Sequence, residues 1–379
     1  VDQYLDDKKL ALQEKICAFV DQELTPEYVR AADQKDEYPY ELLKKLSDLN
    51  FTGINVPVEY GGAGGDVIDL MIIFQNLARR MPVLCWALGN ILLYGNEIIG
   101  LNGSPEQKEK YLPKLAKGEI GFSFALTEPN AGSDAAAIKT RAVYENGYYV
   151  INGNKMFITG AGVTDYTITF TRTAESRYGG ITAFIVDTKT EGYSARPIKK
   201  LAFHGSSTCE VNYDNVKVRP QDILGGEAGL NRGWQQEMKL LNQERLMLSS
   251  MAIGIGQAAL EDAIAFARQK FRFGQGDHQA IKHTLAEMAA ELEAAKSLAY
   301  NTAWKEVRGI ECVKETSMTK YFCAETVKKI VLKGVNILGE YGGIMDYGMQ
   351  RYMREIPILS IGGGTSQVQK NIIARIIGL

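Results

Sequence analysis

LTEPNAGSD, residues 126–134, follows a short run, Gly121-Phe-Ser-Phe-Ala, that reads as a β-strand. A proline and a glycine beside hydroxyl side chains fold such a stretch into a tight loop that exposes backbone N–H groups. That loop suits the polar edge of a ring or a phosphate, although taken alone it reads equally well as an ordinary β-turn. Further on, NGNKMFITG (152–160) sets Phe157 and Thr159 two residues apart, on one face of a strand. A flat aromatic beside a hydroxyl suits a planar cofactor ring. A core phenylalanine next to a surface threonine would give the same letters.

Outward from these two motifs the period of the sequence changes twice. Between residues 119 and 225 it is two: Tyr148 to Ile151, Tyr166-Thr-Ile-Thr-Phe-Thr, Ala183-Phe-Ile-Val and Val211-Asn-Tyr-Asp-Asn-Val-Lys-Val read as strands, and Glu145-Asn-Gly-Tyr as a hairpin turn. This middle segment is expected to be a mostly antiparallel β domain. Residues 1–118 read as helical, with Leu42, Leu43, Leu46 and Leu49 on one stripe and the run from Asp69 to Arg80 as a more buried helix. The glycine-rich VPVEYGGAGGD (56–66) connects them. Residues 226–379 return to the helical period, so the architecture expected is helices, sheet, helices.

Composition narrows the function classes. The formal net charge of −2 disfavours a nucleic-acid-coating surface. Five scattered cysteines without a C-x-x-C pair suit a reducing cytoplasm. With three histidines a His-based metal site is not expected, and His278 and His283 read as a helix surface. No uninterrupted apolar run reaches the length of a bilayer span.

Two features past residue 226 carry chemistry. In SIGGGTSQVQKNIIAR (360–375) three glycines precede a polar, then apolar and basic, helix. On an earlier helix Trp234, Met238, Leu241, Leu248, Met251 and Ile255 recur at spacings of three and four, and Glu244 falls inside that stripe. An unpaired carboxylate on an apolar stripe costs several kcal/mol to bury or takes a raised pKa. A carboxylate tuned towards neutrality is what removal of a weakly acidic C–H proton needs. The alternative is a Glu244 paired with Arg245 or another cation.

Taken together the motifs resemble the acyl-CoA dehydrogenase family of flavoproteins. The resemblance runs through VPVEYGGAG, LTEPNAGSD, NKMFITG, GSSTCEVNYDNVKV (205–218), FRFG (271–274), HQAIKHTLAEM (278–288) and GTSQVQ. It implies FAD, an N-terminal α domain, a middle antiparallel β domain and a C-terminal four-helix-bundle domain, and a homotetramer built by the C-terminal helices. It implies that Phe124, Leu126, Thr127, Gly132 and Ser133 line the flavin, with Phe157 and Thr159 at its other edge. Thr365 and Gln367 would hold the phosphate and adenosine portion. Lys270, Arg272 and Phe273, with Asn336 and Gly339, would reach FAD from a neighbouring subunit. The chain departs from the family pattern at Lys270, where an arginine is usual, at Glu340, which replaces a glycine, and in a short loop from Gly274 to His278.

Family chemistry implies a base for the Cα proton of a thioester, with flavin N5 accepting the Cβ hydride. Many members carry that base as the glutamate of Y-E-G-T-S; here Gly363 stands in its place. A Q/L-E-R-L base on the other helix resembles the isovaleryl-type and long-chain-type branches, which makes Glu244 the expected catalytic residue, beside Leu241 and Arg245 as substrate contacts. The Gly363 N–H would still polarise the thioester carbonyl, and its missing side chain would leave room for a branched or cyclic acyl group. The C-terminal half looks most like enzymes that oxidise proline on an acyl or peptidyl carrier protein in natural-product biosynthesis. The rival is a short branched-chain acyl-CoA dehydrogenase or a reverse-running enoyl-CoA reductase; a non-catalytic flavoprotein stands further off. Electrons would pass to an electron-transfer flavoprotein or to O2.

Overall fold

In the computed structural model, which describes residues 2–271 and 278–379, helices open the chain. They are α1 (Asp7–Glu23), α2 (Pro26–Lys35), α3 (Tyr40–Asp48), α4 (Val67–Ala78), α5 (Pro82–Ile91), α6 (Ile98–Asn102) and α7 (Pro105–Ala116). Local chemistry sets their starts: Thr25 caps α2 ahead of Pro26, and Asp66 and Ser104 close capping boxes on α4 and α7. On α3 the predicted stripe holds at Leu42 and Leu46, which are buried, but Leu49 is the C-cap and lies exposed. The helix stops there because Asn50 turns the chain through a left-handed φ of 61°.

Between α5 and α6 the segment Leu92–Glu97 is a π-helix, so Pro82–Asn102 runs as one helical stretch. By length and composition alone this helical stretch is long and apolar enough to cross a membrane, although its apolar letters are not uninterrupted. Asn90, Asn96 and Glu97 interrupt the apolar letters without interrupting the helix. In the fold, 83% of its apolar window is buried.

The sheet comprises β1 (Phe122–Ala125), β2 (Arg141–Glu145), β3 (Tyr148–Thr159), β4 (Tyr166–Arg172), β5 (Ile181–Asp187), β6 (Tyr193–Pro197) and β7 (Thr208–Val218). Its strands follow the order β1-β4-β2-β3-β7-β6, with β5 pairing β4. Pairing is antiparallel except where β4 meets β1 and β2. Asn146 and Gly147, both at positive φ, make the hairpin between β2 and β3, as the Asn-Gly pair predicts.

The C-terminal region holds α8 (Gly233–Lys270), α9 (Gln279–Val307), α10 (Val313–Leu338), α11 (Met349–Glu355) and α12 (Ser366–Ile376). The long helices α8, α9 and α10 pack on one another, and α12 lies along α10. Helix α8 also crosses α4 closely: a Cβ at Gly254 would stand 2.3 Å from the Gln75 carbonyl oxygen. Only a glycine permits that approach. One hydrophobic core therefore runs through both helical regions and reaches Phe122 and Phe170 of the sheet, while a second core lies within the sheet.

Candidate active site

The loop at 126–134 is held from below. Lys155 of β3, fully buried, donates to the Leu126 carbonyl and to Glu128 Oε1, each at 2.9 Å. Glu128 also accepts the backbone N–H groups of Lys139 and Thr140. Burial pushes its pKa up, but the Lys155 charge and these donors outweigh it and hold the carboxyl below its ordinary value. Above this anchor Gly132 and Ser133 are exposed, with open space where a Cβ at Gly132 would sit.

Phe157 sits where β3 slips register against β7 between Lys155 and Ile158. Its φ of 62° is rare for a bulky residue, and its ring is 64% exposed. Local strain of this kind concentrates at ligand sites. Thr159 lies beside it, half-buried, sharing a hydrogen bond with Thr208 at 3.3 Å. Phe124 is half-buried and Leu126 is buried, while Thr127 accepts the Met156 N–H through its carbonyl. An exposed aromatic on a strained bulge, flanked by a hydroxyl and an anchored loop of N–H groups, fits the isoalloxazine of a flavin.

On the other side stands α8. Glu244 lies deep in the molecule yet keeps some accessible surface, and its Oε1 accepts the Tyr94 hydroxyl at 3.2 Å. Tyr94 comes from the π-helical segment, where the extra residue per turn re-aims its side chain, and its ring stacks on Phe124 at 5.1 Å. Burial raises the Glu244 pKa; the Tyr94 hydrogen bond, Arg245 and Lys320 pull in the other direction without cancelling it. The expected alternative, an ion pair with Arg245, does not form among the described residues. Arg245 is buried and its Nε donates to the Gly363 carbonyl at 3.4 Å. The same contact turns it towards the glycine loop.

That loop is fixed by its carbonyls. Gln369 Nε2 donates to Gly363 O at 3.1 Å and to Gly364 O at 3.0 Å, and Lys320 Nζ donates to Gly364 O at 2.6 Å. The Gly363 N–H donates to nothing among the described residues. At φ 62° the position favours glycine, and a Cβ there would lie 4.0 Å from the Glu244 carboxyl carbon. It would also lie 2.6 Å from Leu248 Cδ1. The room expected beside Gly363 is thus partly filled: Leu248, four residues after Glu244 on the same face, leans into the slot. The stripe itself divides, with Leu248, Met251 and Ile255 buried, Trp234 and Leu241 half-buried and Met238 exposed.

Other expected cofactor contacts scatter as follows. Gln367 is exposed, but the Thr365 hydroxyl accepts the Val368 N–H at 3.1 Å and caps α12. Lys270 ends α8 with its ammonium 5.4 Å from the centre of the Tyr341 ring. Asn336 and Gly339 are exposed at the end of α10. Arg272 and Phe273 lie outside the described residues. Tyr94, Glu237, Lys320 and Gln369 were not singled out by the sequence. Glu237 alone carried a readable signal, as a second acid on α8 seven residues before Glu244.

Models of the N-terminal, middle and C-terminal domains of acyl-CoA dehydrogenase match residues 6–119, 123–216 and 231–378. The chain belongs to the acyl-CoA dehydrogenase family. Like the rest of that family it is an FAD-dependent oxidoreductase acting on acyl thioesters. It is 42% identical to a 3-(aryl)acrylate reductase of Clostridium sporogenes over 94% of each chain. It is 36% identical to the CarC subunit of the caffeyl-CoA reductase–Etf complex of Acetobacterium woodii over 99% of each. The solved prolyl acyl carrier protein oxidase AnaB superposes with a TM-score of 0.92 at 28% identity, over 99% of this chain and 100% of that one.

Proposed function

We propose that this acyl-CoA dehydrogenase family member acts on the Cα–Cβ bond of an acyl-CoA thioester, principally as a 2-enoyl thioester reductase for aryl or similarly bulky acyl groups. The observation that carries the reading is the position of Glu244, whose carboxyl carbon lies 4.0 Å from where a side chain at Gly363 would begin. The carboxylate thus reaches the slot that family members fill from the glycine loop. FAD, when bound, supplies the hydride chemistry at Cβ. Glu244 exchanges the Cα proton, giving it up in reduction and taking it in oxidation, and burial, which raises its pKa, favours its holding that proton. The Gly363 N–H, without a partner among the described residues while Arg245 and Gln369 hold the residue's own carbonyl, meets the thioester carbonyl and stabilises negative charge there.

The reductive direction and the aryl group are supported by the 3-(aryl)acrylate and caffeyl-CoA reductases among the relatives. By the same likeness to an Etf complex subunit, an electron-transfer flavoprotein is the proposed electron partner. FAD is held by Phe124, Leu126, Thr127, Gly132, Ser133, Phe157 and Thr159 at the ring, and by Gln367 and Thr365 beyond it. In a homotetramer, Lys270, Asn336 and Gly339 face the neighbouring copy's cofactor. The five free thiols are in keeping with a cytoplasmic location.

A second reading, oxidation of a prolyl group on a carrier protein, keeps the same Glu244 and is favoured by the AnaB fold at lower identity. One panel tests both. The FAD-loaded protein is mixed without oxygen with arylpropenoyl-CoA plus a reduced viologen, and separately with arylpropanoyl-CoA, isovaleryl-CoA and prolyl-carrier protein plus a ferrocenium acceptor. Turnover of the arylacyl pair is expected. Activity confined to prolyl-carrier protein would overturn the CoA reading, and no activity on any thioester would overturn both.

A further inference from the structure

Gly363 and Gly364 both sit at positive φ, 62° and 89°, in the loop that faces Glu244. Glycine has the most backbone freedom to lose, and neither residue has a side chain to pack. The direction of the Gly363 N–H is therefore set from outside the loop. Three helices supply the holders: Arg245 from α8, Gln369 from α12 and Lys320 from α10. Lys320 makes the shortest of these bonds, 2.6 Å to the Gly364 carbonyl, and it is only 1% exposed. It enters no ion pair among the described residues. Glu325, the nearby acid on the same helix, is taken by Lys328 and Ser366.

An ammonium buried against a single carbonyl is costly. Gln369 already serves that carbonyl at 3.0 Å, and an acceptor already served does not by itself call for a buried charge. We propose that Lys320 is a positioning residue for the thioester reaction: through the Gly364 carbonyl it keeps the glycine loop in the conformation that aims the Gly363 N–H at the thioester carbonyl. Burial and the Arg245 charge push the Lys320 pKa down to about 8, while Glu244 and Glu325 work against them. At neutral pH the ammonium thus keeps its charge, and its bond is the stronger, charge-assisted kind. A loop of glycines needs that strength, because a small misdirection of the N–H forfeits most of its hydrogen bond.

The inference rests on the proposed role of the Gly363 N–H, and the test separates the two. The oxidised, FAD-loaded protein is titrated with 3-phenylpropenoyl-CoA, whose conjugated absorption band moves to longer wavelength as its thioester carbonyl is polarised. Reductive turnover of the same thioester, FAD content and thermal unfolding are measured alongside. Lys320→Met keeps the length of the side chain and leaves Gln369 on the Gly364 carbonyl. It is expected to lose at least half of the band shift and about tenfold in kcat, the range of one charge-assisted hydrogen bond. KM, FAD content and stability should stay close to wild type. Lys320→Arg, which keeps a charged donor, should recover most of both losses. A Met variant with the full shift, and kcat within twofold of wild type, would overturn the proposal and leave the Gly363 reading in place. A fall in kcat that only follows lost FAD, or Met and Arg variants equally impaired, would make Lys320 a packing residue and overturn it too. A wild type that turns the thioester over without any shift would remove the Gly363 N–H from the reaction, and Lys320 with it, while leaving Glu244. If Lys320→Met fails to fold, Lys320→Gln is read in the same way.

Discussion

Two carboxylates frame the space between sheet and helices, and their surroundings give them opposite characters. Glu128, beneath the loop at 126–134, has a buried ammonium and two backbone N–H groups for partners, and its pKa is held down. Glu244, on α8, has one phenol, and its pKa is pushed up by burial. A saturated carboxylate is fixed in geometry and charge and serves as an anchor. An undersatisfied one holds its proton more tightly than a free carboxylate and can exchange it. On the proposed reading the difference gives the two regions separate work: one positions, the other reacts.

The comparison is broken most directly at Glu244. Glu244→Gln keeps the shape and the Tyr94 contact but cannot carry the proton. Turnover is expected to fall about 10³-fold or more, towards the upper range for a positioned acid or base, with FAD content and thermal midpoint close to wild type. Turnover within tenfold of wild type would remove Glu244 from the reaction. Glu128→Gln should do the reverse. Removing one partner of a buried pair leaves the Lys155 charge uncompensated, at a cost of about 3–5 kcal/mol. A lowered denaturation midpoint and weaker FAD retention are expected, while the protein that remains loaded keeps its pH profile. A variant as stable as wild type would show that the anchor contributes nothing.

What could be read in the sequence follows how local each feature is. LTEPNAGSD and NKMFITG act through neighbours a few residues away, so their loop and strand could be read, and so could the hairpin at Asn146-Gly147. Glu244 could be read as an anomaly, a charge inside an apolar stripe. Its partner could not. Tyr94 is 150 residues distant and reaches Oε1 from a π-helical segment, whose extra residue per turn no apolar spacing announces. The glycine loop shows the same limit: its vacancy is visible as letters, but the Leu248 methyl that leans into it is a property of packing. In TSQVQ the exposed Gln367 drew the expectation, whereas Gln369, on the opposite face of α12, holds the loop.

The smallest test sharpens the contrast by one hydrogen bond. Tyr94→Phe keeps the ring that stacks on Phe124 and removes only the hydroxyl that Glu244 accepts. That bond favours the charged carboxylate, so its loss must raise the Glu244 pKa further. In the reductive direction the protonated form is the active one, and activity declines as pH rises through its pKa. The declining limb should therefore move to higher pH in the variant, by about one unit, the equivalent of a single hydrogen bond. In the oxidative direction the rising limb should move the same way. Limbs that stay in place would make Tyr94 a packing residue, and limbs that move to lower pH would mean that its hydroxyl stabilises the acid form of Glu244.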